Sequence, residues 1–419
     1  MVKDCHGNPL PVFCKGIVEN CSVVKSAFPK NSVYLLKVKV NEDNEPAAGQ
    51  FFMLHCERSN FLLGRPISIF HAKKENGVVF LEFLILKKGE GTGTCEICSL
   101  QNGDKISLLG PCGNSFEVIN NDFFAGNKAA LNDNTAKVCI VGGGIGVAPV
   151  AGFAETLPAQ SYDFYASFKS GSYGLENLNA KNLVITTDDG SVGVHGMLPA
   201  ALTAQVLKEK KYSVLYACGP TPMLAYLKEI CAQAGVKCFL SMESRMACGV
   251  GVCLGCVIDT SEGKKRCCKD GPIFPGEILD FAPAVSEVAG VKVQPKREPL
   301  ADGVEPDLSV NIAGVHFENP VIGSSGTFGF GTEYKSVFDV NRLGGISSKG
   351  LTLEPREGND GIRLHETPSG LMNSIGLQNP GISHFIKEEL PEMMKLKPVT
   401  IANLSGSSLE TYTEGAKLL

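Results

Sequence analysis

The sequence predicts a multidomain α/β protein that begins with an antiparallel β-barrel and continues with parallel sheets. Three observations predict this fold class. Short β-type runs divided by turns extend to about residue 130, strands and helices alternate beyond it, and the 419 residues exceed the size of one typical domain. A cysteine-dense segment at 241–275 adds a smaller unit. We therefore expect several domains in series.

The composition excludes several classes of function. Charged residues make up 20% and hydrophobic residues 43%, so each part can bury a core, and the net charge of −5 makes nucleic acid a poor partner. The N-terminus has no apolar signal region. The longest uncharged stretch, 138–153, holds five glycines and a proline, so we expect no membrane span. The 16 cysteines are then expected to stay reduced in the cytoplasm.

The first predicted domain, 1–130, is the antiparallel β-barrel. Its β-type runs are divided by turn clusters, and many short strands at regular spacing are typical of a barrel. The predicted strands are 32–40, 50–56, 66–71, 78–86 and 105–109.

The second predicted domain, 131–240, is an α/β domain with a parallel sheet. Strands alternate with helices in this part of the chain, which is the pattern of βαβ units. The predicted strands are 137–141, 161–168, 182–187, 213–218 and 237–240, and the predicted helices are 147–156, 198–209 and 221–234.

Three further segments complete the chain. Residues 241–281 contain the cysteine-dense segment, 282–307 form a linker with prolines and mixed charge, and 308–419 return to alternating strands and helices. For the last segment we predict a hairpin about 311–314, strands at 321–324, 345–348 and 400–403, and a final helix over 408–419.

The most specific motif is Cys248-x4-Cys253-x2-Cys256, followed by Cys267 and Cys268. Three thiolates so close in sequence must surround one small object, and their spacing is that of plant-type [2Fe–2S] loops. A zinc knuckle and simple buried cysteines are the alternatives, although structural zinc sites usually combine two Cys-x2-Cys pairs. Spacing alone leaves the fourth ligand open between Cys267 and Cys268.

Two glycine turns follow predicted strands of the second domain. The first contains Gly142, Gly143, Gly144 and Gly146 and leads directly into a helix. Such a turn lets a pyrophosphate approach the backbone N–H groups of the helix N-terminus. The second turn, Cys218-Gly219-Pro220, ends a later strand, and the carboxyl ends of parallel strands line a ligand crevice. A tight turn without a ligand is the alternative.

A third motif lies in the first domain, where Arg65 directly precedes the predicted strand at 66–71 and Pro66, Ile67 and Ser68 begin it. An arginine fork suits a diphosphate group, and an ordinary exposed arginine at the start of a strand is the alternative.

In their order along the chain, the Arg-Pro-Ile-Ser motif, the two glycine turns and the cysteine motif resemble class 1B dihydroorotate dehydrogenase, whose electron-transfer subunit belongs to the ferredoxin–NAD(P) reductase-like flavoproteins. The resemblance covers about residues 10–280. Wider reductases usually carry an aromatic residue at the position of Ile67. This chain has an isoleucine there, and so does the dihydroorotate group. In that family the last cluster ligand precedes Lys-Asp-Gly-Pro, and the resemblance therefore selects Cys268, before Lys269-Asp270-Gly271-Pro272, over Cys267.

The resemblance implies FAD, NAD and a [2Fe–2S] cluster. Nine residues would bind FAD: Arg65, Pro66, Ile67, Ser68, Leu84, Ile85, Leu86, Gly91 and Thr92. The two glycine turns would bind NAD: Gly142, Gly143, Gly144, Gly146, Cys218, Gly219 and Pro220. The cluster ligands would be Cys248, Cys253, Cys256 and Cys268. We expect NAD rather than NADP, because no arginine follows the second strand of this domain and Lys169 is the one cation near its end.

Residues 308–419 resemble the start of the FMN-binding catalytic subunit of the same enzyme, a (β/α)8 barrel. The motifs Ser324-Ser325-Gly326-Thr327-Phe328-Gly329 and Asn373-Ser374-Ile375-Gly376 carry this resemblance. It implies Lys349 and Asn373 on the substrate side, and Ser325, Gly326 and Asn403 at the FMN. A solvated lysine at a strand end is the alternative for Lys349.

A complete (β/α)8 barrel needs roughly 250 residues, more than twice the length of 308–419. The resemblance places the catalytic cysteine base beyond the third strand, past the last residue of this sequence. We therefore expect an incomplete barrel that does not oxidise dihydroorotate by itself, and a reductase part that still passes electrons from NADH to an artificial acceptor.

The resemblance as a whole implies oxidation of dihydroorotate to orotate at FMN, with electrons passing through the cluster to FAD and then to NAD+, in de novo pyrimidine biosynthesis. The expected partners are these substrates and either a complete catalytic barrel chain or a second copy of this chain. Two alternatives stay open: a general NAD(P)H-dependent reductase for another acceptor, and a non-enzymatic iron–sulfur module of a larger assembly.

Overall fold

A computed structural model gives the fold of the chain. It describes residues 11–26, 32–41, 45–57, 59, 61–89, 91–116, 119, 137–281, 308–367 and 370–419. The predicted linker and the predicted boundary between the first two domains lie outside the described residues. Contacts divide the chain into two compact units, Met1–Ser244 with Ile258–Ala282, and Arg245–Val257 with Pro283–Leu419.

Seven strands form an antiparallel sheet at the start of the first unit, in the order β4-β3-β7-β1-β2-β6-β5. They are β1 (Val12–Ser26), β2 (Ser32–Val40), β3 (Phe51–Cys56), β4 (Arg65–Ser68), β5 (His71–Glu75), β6 (Val78–Leu86) and β7 (Lys105–Cys112), with helix α1 (Gly93–Cys98) before β7. On β2 the buried Leu36, Val38 and Val40 alternate with Lys37 and Lys39, so one face of the strand packs on a core. The antiparallel sheet is confirmed, and its closure into a barrel stays a prediction.

β1, the longest strand of this sheet, is not among the predicted strands. Its inward positions carry the small residues Cys14 and Gly16, whereas the large apolar Phe13 and Ile17 are about half exposed, at 51% and 48%. A side chain at Gly16 would collide with Val38 of the neighbouring strand. The usual pattern of large apolar residues inside is therefore reversed here, and a search for hydrophobic alternation does not detect the strand.

The prediction of one strand over 66–71 is wrong, because the chain leaves one edge of the sheet there and joins the other. β4 pairs with β3, whereas β5 pairs with β6. Between them, the backbone N–H of Ile69 donates to the backbone carbonyl of Gln50, and the backbone N–H of Phe70 donates to the backbone carbonyl of Glu82. These two residues continue the hydrogen bonding across the change of partner, which gives the segment the appearance of one strand in the sequence.

The second sheet of the first unit has the order β11-β10-β9-β8-β12-β13-β16, with parallel pairs from β11 to β13 and an antiparallel β16. Its strands are β8 (Val138–Gly143), β9 (Tyr162–Phe168), β10 (Asn182–Thr187), β11 (Val194–His195), β12 (Val214–Cys218), β13 (Lys237–Ser241) and β16 (Ile273–Pro275). Its helices are α2 (Val147–Thr156), α3 (Ala204–Lys210) and α4 (Thr221–Ala234). The predicted parallel α/β arrangement is therefore present.

The predicted helix 198–209 is wrong in its first part. A short 3-10 turn covers Leu198–Ala200, and α3 begins only after Thr203. The Thr203 hydroxyl accepts a hydrogen bond from the N–H of Val206 at 3.3 Å, which is the usual N-cap arrangement. A threonine that caps a helix was thus mistaken for a residue inside one.

One hydrophobic core joins the two sheets of the first unit. It contains Phe70, Leu84 and Phe116 from the first sheet and its connections, together with Val147 and Phe153 from α2. The Phe116 and Phe153 rings stack with their centroids 5.2 Å apart. Because aromatic contacts of this kind bury large areas, they hold the two sheets in a fixed relation within this unit.

The second unit contains a small parallel sheet, β19-β20-β23, and two hairpins. Its elements are β17 (Val310–Ile312), β18 (Val315–Phe317), β19 (Ile322–Gly323), β20 (Gly345–Leu351), β21 (Leu364–Thr367), β22 (Gly370–Asn373), α5 (Ile382–His384), a π-helical stretch (Phe385–Glu389), α6 (Leu390–Met393), β23 (Val399–Leu404) and α7 (Leu409–Leu418). Phe330, Ile346, Leu351, Ile382 and Phe385 form the core of this sheet. The three parallel strands agree with the start of an α/β barrel.

Two short strands, β14 (Val257–Ile258) and β15 (Lys265–Arg266), pair in the cysteine-dense segment. Within the described part of the chain, no helix has the length and apolar character needed to cross a membrane.

Candidate functional site

The first glycine turn lies between β8 and α2, where the chain reverses from the sheet into a helix. Gly144 has a φ of +53°, in the left-handed region that favours glycine. A β-carbon on Gly142 would lie 2.9 Å from the Cα of Val147, and one on Gly146 would lie 2.6 Å from the carbonyl carbon of Cys218. The turn is therefore packed closely at Gly142 and Gly146, where a side chain would collide with backbone, and it is open at Gly144.

The second glycine turn lies directly beside the first. Cys218, at the end of β12, pairs with Gly142 of β8, and a β-carbon on Gly219 would lie 3.1 Å from the Cα of Gly143. Pro220 precedes α4 as its N-cap residue. The predicted residues of both turns thus meet at the carboxyl edge of two adjacent parallel strands, which is where doubly wound sheets bind nucleotides. This close backbone approach fits a pyridine nucleotide.

The Arg65 side chain lies between an aromatic ring and the start of α1. Its guanidinium carbon is 5.0 Å from the centre of the Phe61 ring, and a side chain on Gly93 would collide with the guanidinium. Thr92 caps α1 by accepting a hydrogen bond from the N–H of Cys95 at 3.3 Å. Arg65 and the predicted residues Gly91 and Thr92 therefore lie in one place, and a guanidinium with a hydroxyl beside it fits the diphosphate of FAD.

The other predicted FAD residues lie on β4 and β6. Pro66, Ile67 and Ser68 are half-buried along β4. On β6, Leu84 and Ile85 are buried and Leu86 is half-buried. Leu84 also belongs to the core that contains Val147, the first residue of α2. One compact unit therefore holds both the predicted FAD residues and the predicted nucleotide turns.

The loop with the first three motif cysteines belongs to the second unit, and its backbone N–H groups point at sulfur. The N–H of Cys253 donates to the Sγ of Cys248, and the N–H of Gly255 donates to the Sγ of Cys253, both at 3.4 Å. The neighbouring Cys248 sulfur, with burial as the second cause, raises the pKa of the Cys253 thiol, as expected for two sulfurs placed side by side. Cys256 is buried. This donor set, three thiols in a loop with N–H···S bonds, fits an iron–sulfur cluster.

The last two cysteines of the motif belong to the first unit. The Cys267 thiol donates to the carbonyl of Met242 at 3.1 Å, and Cys267 and Cys268 are both buried. Throughout the residues that the structure describes, no group of three or more His, Cys, Asp or Glu is arranged as a ligand set for one metal ion. The four-cysteine ligand set and the choice of Cys268 therefore stay predictions. The fifteen described cysteines form no disulfide bond.

In the second unit, the parallel sheet brings two of the predicted FMN-side residues, Ser325 and Asn403, together. Asn403 on β23 donates from its Nδ2 to the Ser325 Oγ at 2.6 Å, and its N–H donates to the Ser348 Oγ at 3.0 Å. Lys349 on β20 is only 8% exposed, and burial lowers its pKa. Its Nζ lies 3.5 Å from the carbonyl oxygen of Val252. The alternative of a solvated lysine is therefore wrong.

Two other predicted residues of this segment lie apart from that contact. Gly326 follows Ser325 with a φ of +82° and has open space where a β-carbon would lie, and Asn373 is exposed at the end of the hairpin strand β22. Gly326 thus offers open backbone. For Asn373, a role at the substrate stays a prediction.

Two polar clusters were missed by the sequence analysis. Arg266 and Asp270 form a bidentate ion pair beside Cys267 and Cys268, and an i, i+4 pair of opposite charges is visible in the sequence. His71 lies between two glutamates from different elements, Glu82 and Glu155. Since Glu155 is 84 positions away from His71, no local pattern reveals this second cluster.

Comparison with known proteins matches two segments of the chain to families. Residues 243–280 match the iron–sulfur cluster binding domain of dihydroorotate dehydrogenase B, and residues 307–419 match dihydroorotate dehydrogenase.

Two kinds of relatives cover different parts of the chain. The electron transfer subunit of dihydroorotate dehydrogenase B (NAD(+)) from Clostridium acetobutylicum is 37% identical over 253 residues, which is 60% of this chain and 92% of the relative. The catalytic subunit of dihydroorotate dehydrogenase B (NAD(+)) from Petrotoga mobilis is 59% identical over 106 residues, which is 25% of this chain. The chain spans only 35% of that catalytic relative.

A solved structure supports the fold. The NADH-dependent reduced ferredoxin-NADP oxidoreductase has a TM-score of 0.50 and 23% identity, with 65% of this chain and 91% of that chain covered. This likeness concerns the fold alone and agrees with a ferredoxin–NADP reductase-like arrangement of an antiparallel sheet and a parallel α/β sheet. The family is shown by the electron transfer relative, 92% of which is covered at 37% identity: this chain belongs to the dihydroorotate dehydrogenase B family of oxidoreductases, with an electron-transfer part followed by a segment of the catalytic-subunit type.

Proposed function

We propose that the first unit transfers electrons between a pyridine nucleotide and an iron–sulfur cluster through FAD, as the electron-transfer half of a dihydroorotate dehydrogenase that uses NAD+. The substrate pairs are then dihydroorotate with orotate and NAD+ with NADH, and the reaction is a step of pyrimidine synthesis. Family membership supports the reaction class, and the arrangement of the first unit supports the assignment of roles to its residues.

The observation that carries the proposal is the shared hydrophobic core of the first unit. Leu84, from the predicted FAD strand, and Val147, from the helix that follows the glycine turn, are buried in the same core. Both side chains lie near Gly174, where a β-carbon would be 2.8 Å from Leu84 and 3.5 Å from Val147. A unit built this way holds its flavin residues and its nucleotide turn at a fixed separation, which hydride transfer between two bound groups requires.

When bound, FAD supplies two-electron exchange with the nicotinamide and one-electron exchange with the cluster. The residues of the chain bind and orient these groups. Arg65 would neutralise the FAD diphosphate, and Ser68 offers a hydroxyl at the other end of the same strand, β4. The turns at Gly142–Gly146 and Cys218–Pro220 would admit the nucleotide to the backbone, because they carry no bulky side chain at the crevice.

The cluster loop would hold the iron through the thiolates of Cys248, Cys253 and Cys256, with Cys268 as the fourth ligand. The N–H groups of Cys253 and Gly255 would stabilise the added negative charge of the sulfurs, since N–H···S bonds favour the reduced form and raise the potential. The loop's glycines make these bonds possible: Gly249 and Gly251 have φ values of +70° and +83°.

For the catalytic-type segment we infer a supporting role at FMN for Ser325, Lys349 and Asn403. The buried Lys349 amine can place a positive charge near a flavin or a carboxylate, and the Asn403–Ser325 hydrogen bond fixes the polar groups of those two residues. The partner that we infer is either a separate chain with a complete catalytic barrel or a second copy of this chain. Asn373 would face the pyrimidine ring from the β22 hairpin.

The proposal is tested by anaerobic reduction of the purified chain after reconstitution with FAD and iron–sulfur. NADH is expected to bleach the flavin absorbance and then to produce the electron paramagnetic resonance signal of a reduced [2Fe–2S] cluster. A matched variant, Arg65→Gln, is expected to lose FAD while keeping the cluster. Flavin that binds but is not reduced by NADH would refute the proposal, and so would a protein that binds no flavin at all.

A further inference from the structure

His71 begins β5 of the antiparallel sheet that carries the predicted FAD residues, called here the flavin sheet. It contacts one carboxylate of this sheet and one of the nucleotide domain. Its Nδ1 lies 3.1 Å from the Oε2 of Glu82, its cross-strand neighbour on β6. Its Nε2 lies 2.9 Å from the Oε1 of Glu155, in the last turn of α2. Only a doubly protonated imidazole donates from both nitrogens, so the geometry is that of a cation between two anions.

The backbone next to His71 also contacts the same helix. A β-carbon on Gly152 of α2 would collide with the carbonyl oxygen of Phe70, so the helix approaches this connection as closely as a glycine allows. The Phe70 ring itself is buried in the core shared by the two sheets. Polar and apolar contacts therefore join α2 to the start of β5 over a single short stretch.

The ion pair also compensates an unfavourable charge on the helix. Glu155 lies at the C-terminal end of α2, where the helix dipole is negative, and the last turn of α2 contains no basic residue. A cation supplied from outside the helix removes this repulsion. His71 supplies it from β5, and so the end of the helix is stabilised only when the flavin sheet is in place beside it.

The two ends of α2 have different partners. Its N-terminal end carries the glycine turn at Gly142–Gly146, and its C-terminal end is held by His71. A helix of this length extends about 15 Å and behaves as a stiff body. A shift at the Glu155 end is therefore transmitted to the turn that receives the nucleotide.

We propose that His71 is a positioning residue for hydride transfer: when protonated, it fixes α2, and with it the nucleotide turn, against the FAD-binding sheet. This inference rests on the proposed function, because it assumes that NADH and FAD bind in the first unit.

The pH range in which the link holds follows from its surroundings. The groups that face His71 are Glu82 on β6, Lys37 on β2, which pairs with Glu82 at 3.1 Å, and Glu155 on α2. Glu45, and Lys73 and Glu75 farther along β5, line the same open cleft of ≈ 800 Å³, so water reaches the site. Burial lowers the pKa of His71, but the hydrogen bonds of Glu155 and Glu82 outweigh it and raise the pKa to about 9.

A raised histidine pKa gives the link a definite direction with pH. The contribution to stability is complete below the ordinary value of 6.5 and is lost as the pH rises through about 9. We therefore expect the rate of flavin reduction by saturating NADH to fall across a transition near pH 9. The affinity for NADH should change much less, because the nucleotide turn itself keeps its shape.

The test measures this rate on both sides of pH 9, by stopped flow, in the full chain loaded with FAD. His71→Gln should be several-fold slower at low pH and should lack the transition. His71→Arg should keep the fast rate to higher pH, because arginine stays protonated and can donate to two carboxylates. Glu155→Gln should move the transition towards the ordinary histidine pKa, because one of the two stabilising anions is gone.

Lys73→Gln is the matched control, since it removes a cation from the same strand and cleft without touching α2. It should keep the transition of the original chain. If His71→Gln fails to retain FAD, Glu155→Gln and His71→Arg still decide the question. A pH profile that is the same in the original chain, His71→Gln and His71→Arg would overturn the inference. An original chain whose flavin is not reduced by NADH at any pH would instead refute the proposed function.

Discussion

The nucleotide turn at Gly142–Gly146 and the cysteine loop at Cys248–Cys256 are both rich in glycine, but different forces shape them. The turn lies between a fully buried strand and a helix that is buried over eight of its ten residues. The loop has hydrogen bonds to its own sulfur atoms instead, from the N–H groups of Cys253 and Gly255. Backbone packing against the neighbouring strand end constrains the turn at Gly146, whereas hydrogen bonds to sulfur shape the loop around Cys248 and Cys253.

This difference predicts what each region tolerates. In the turn, a methyl group added to Gly146 meets the backbone of Cys218 and Gly219, which cannot move because it belongs to the end of the neighbouring strand. In the loop, a methyl group matters less than the loss of one sulfur, since the cluster itself would be the organising centre. Four variants or measurements separate these two kinds of constraint.

The largest effect is expected from loss of a cluster ligand. Cys256→Ser should abolish the visible iron–sulfur absorbance, because a structural thiolate is removed from the loop. Cys267→Ser should leave that absorbance in place, since the Cys267 thiol already donates to the carbonyl of Met242. Iron content and visible absorbance of both purified variants give the measurement. Equal loss in the two variants would contradict the choice of Cys268 as the fourth ligand.

The next effect is expected in the nucleotide turn. Gly146→Ala should lower the free energy of unfolding by about 2 kcal/mol, because the new β-carbon meets the Cys218 carbonyl group of the adjacent strand end. It should also weaken NADH binding, because the two turns that admit the nucleotide are pushed apart. Denaturant unfolding and NADH titration measure the two effects.

Gly235→Ala is the control for that variant. Gly235 ends α4 with a φ of +70° and has open space around it, so alanine there costs about 1 kcal/mol through backbone strain alone. NADH binding should not change. If both variants lose stability and binding in the same ratio, close packing of the turn is not what admits the nucleotide.

Much of the fold was predictable because local patterns are strong in the parallel sheet. The helices at Val147–Thr156 and Thr221–Ala234 and the strand at Asn182–Thr187 have the bounds that periodicity and turn residues predict. The strand β1 was not predictable, because Cys14 and Gly16 face inward. Inward residues are small there because the neighbouring Val38 fills the space.

The candidate site likewise contains parts that the sequence predicts and parts that only the structure reveals. Strand, glycine turn and helix are consecutive in sequence, so the nucleotide turn was visible before the structure. The Arg65–Thr92 neighbourhood and the His71–Glu155 pair join residues far apart in sequence, and only the fold brings them together. The fourth cluster ligand is also a question of three-dimensional position, and spacing cannot choose between two adjacent cysteines.

A smaller effect concerns the choice of nucleotide. NADH should be preferred to NADPH by about tenfold in kcat/KM, or about 1.4 kcal/mol. The loop after β10 explains this: the N–H of Asp189 donates to the Lys169 carbonyl, and hydrogen bonds from Ser191 and Ser170 lower the Asp189 pKa to about 2. An ionised carboxylate beside Lys169 opposes a 2′-phosphate.

Steady-state rates with the two nucleotides test this preference. Asp189→Asn should reduce the preference for NADH by improving the use of NADPH. Lys169→Ala should increase the preference for NADH, because it removes the cation that could contact a 2′-phosphate. Comparable kcat/KM values for NADH and NADPH in the original chain would contradict the prediction.

The smallest effect is expected in the 266–270 segment, which contains the predicted fourth ligand Cys268 and the Arg266–Asp270 ion pair. Arg266 donates to Asp270 three times, from its backbone N–H at 2.7 Å, from Nε at 3.0 Å and from Nη2 at 2.9 Å. Asp270→Asn should lower the free energy of unfolding by about 1 kcal/mol, because charge-assisted bonds become neutral ones. Glu277→Gln, at an exposed pair with Lys237, should cost at most about 0.5 kcal/mol. The measurement is the denaturant midpoint of the cluster-free and the cluster-loaded chain. If the ion pair shapes the 266–270 segment, Asp270→Asn destabilises both forms by the same amount. An effect confined to the loaded form would mean that the metal organises this segment, as in the Cys248–Cys256 loop.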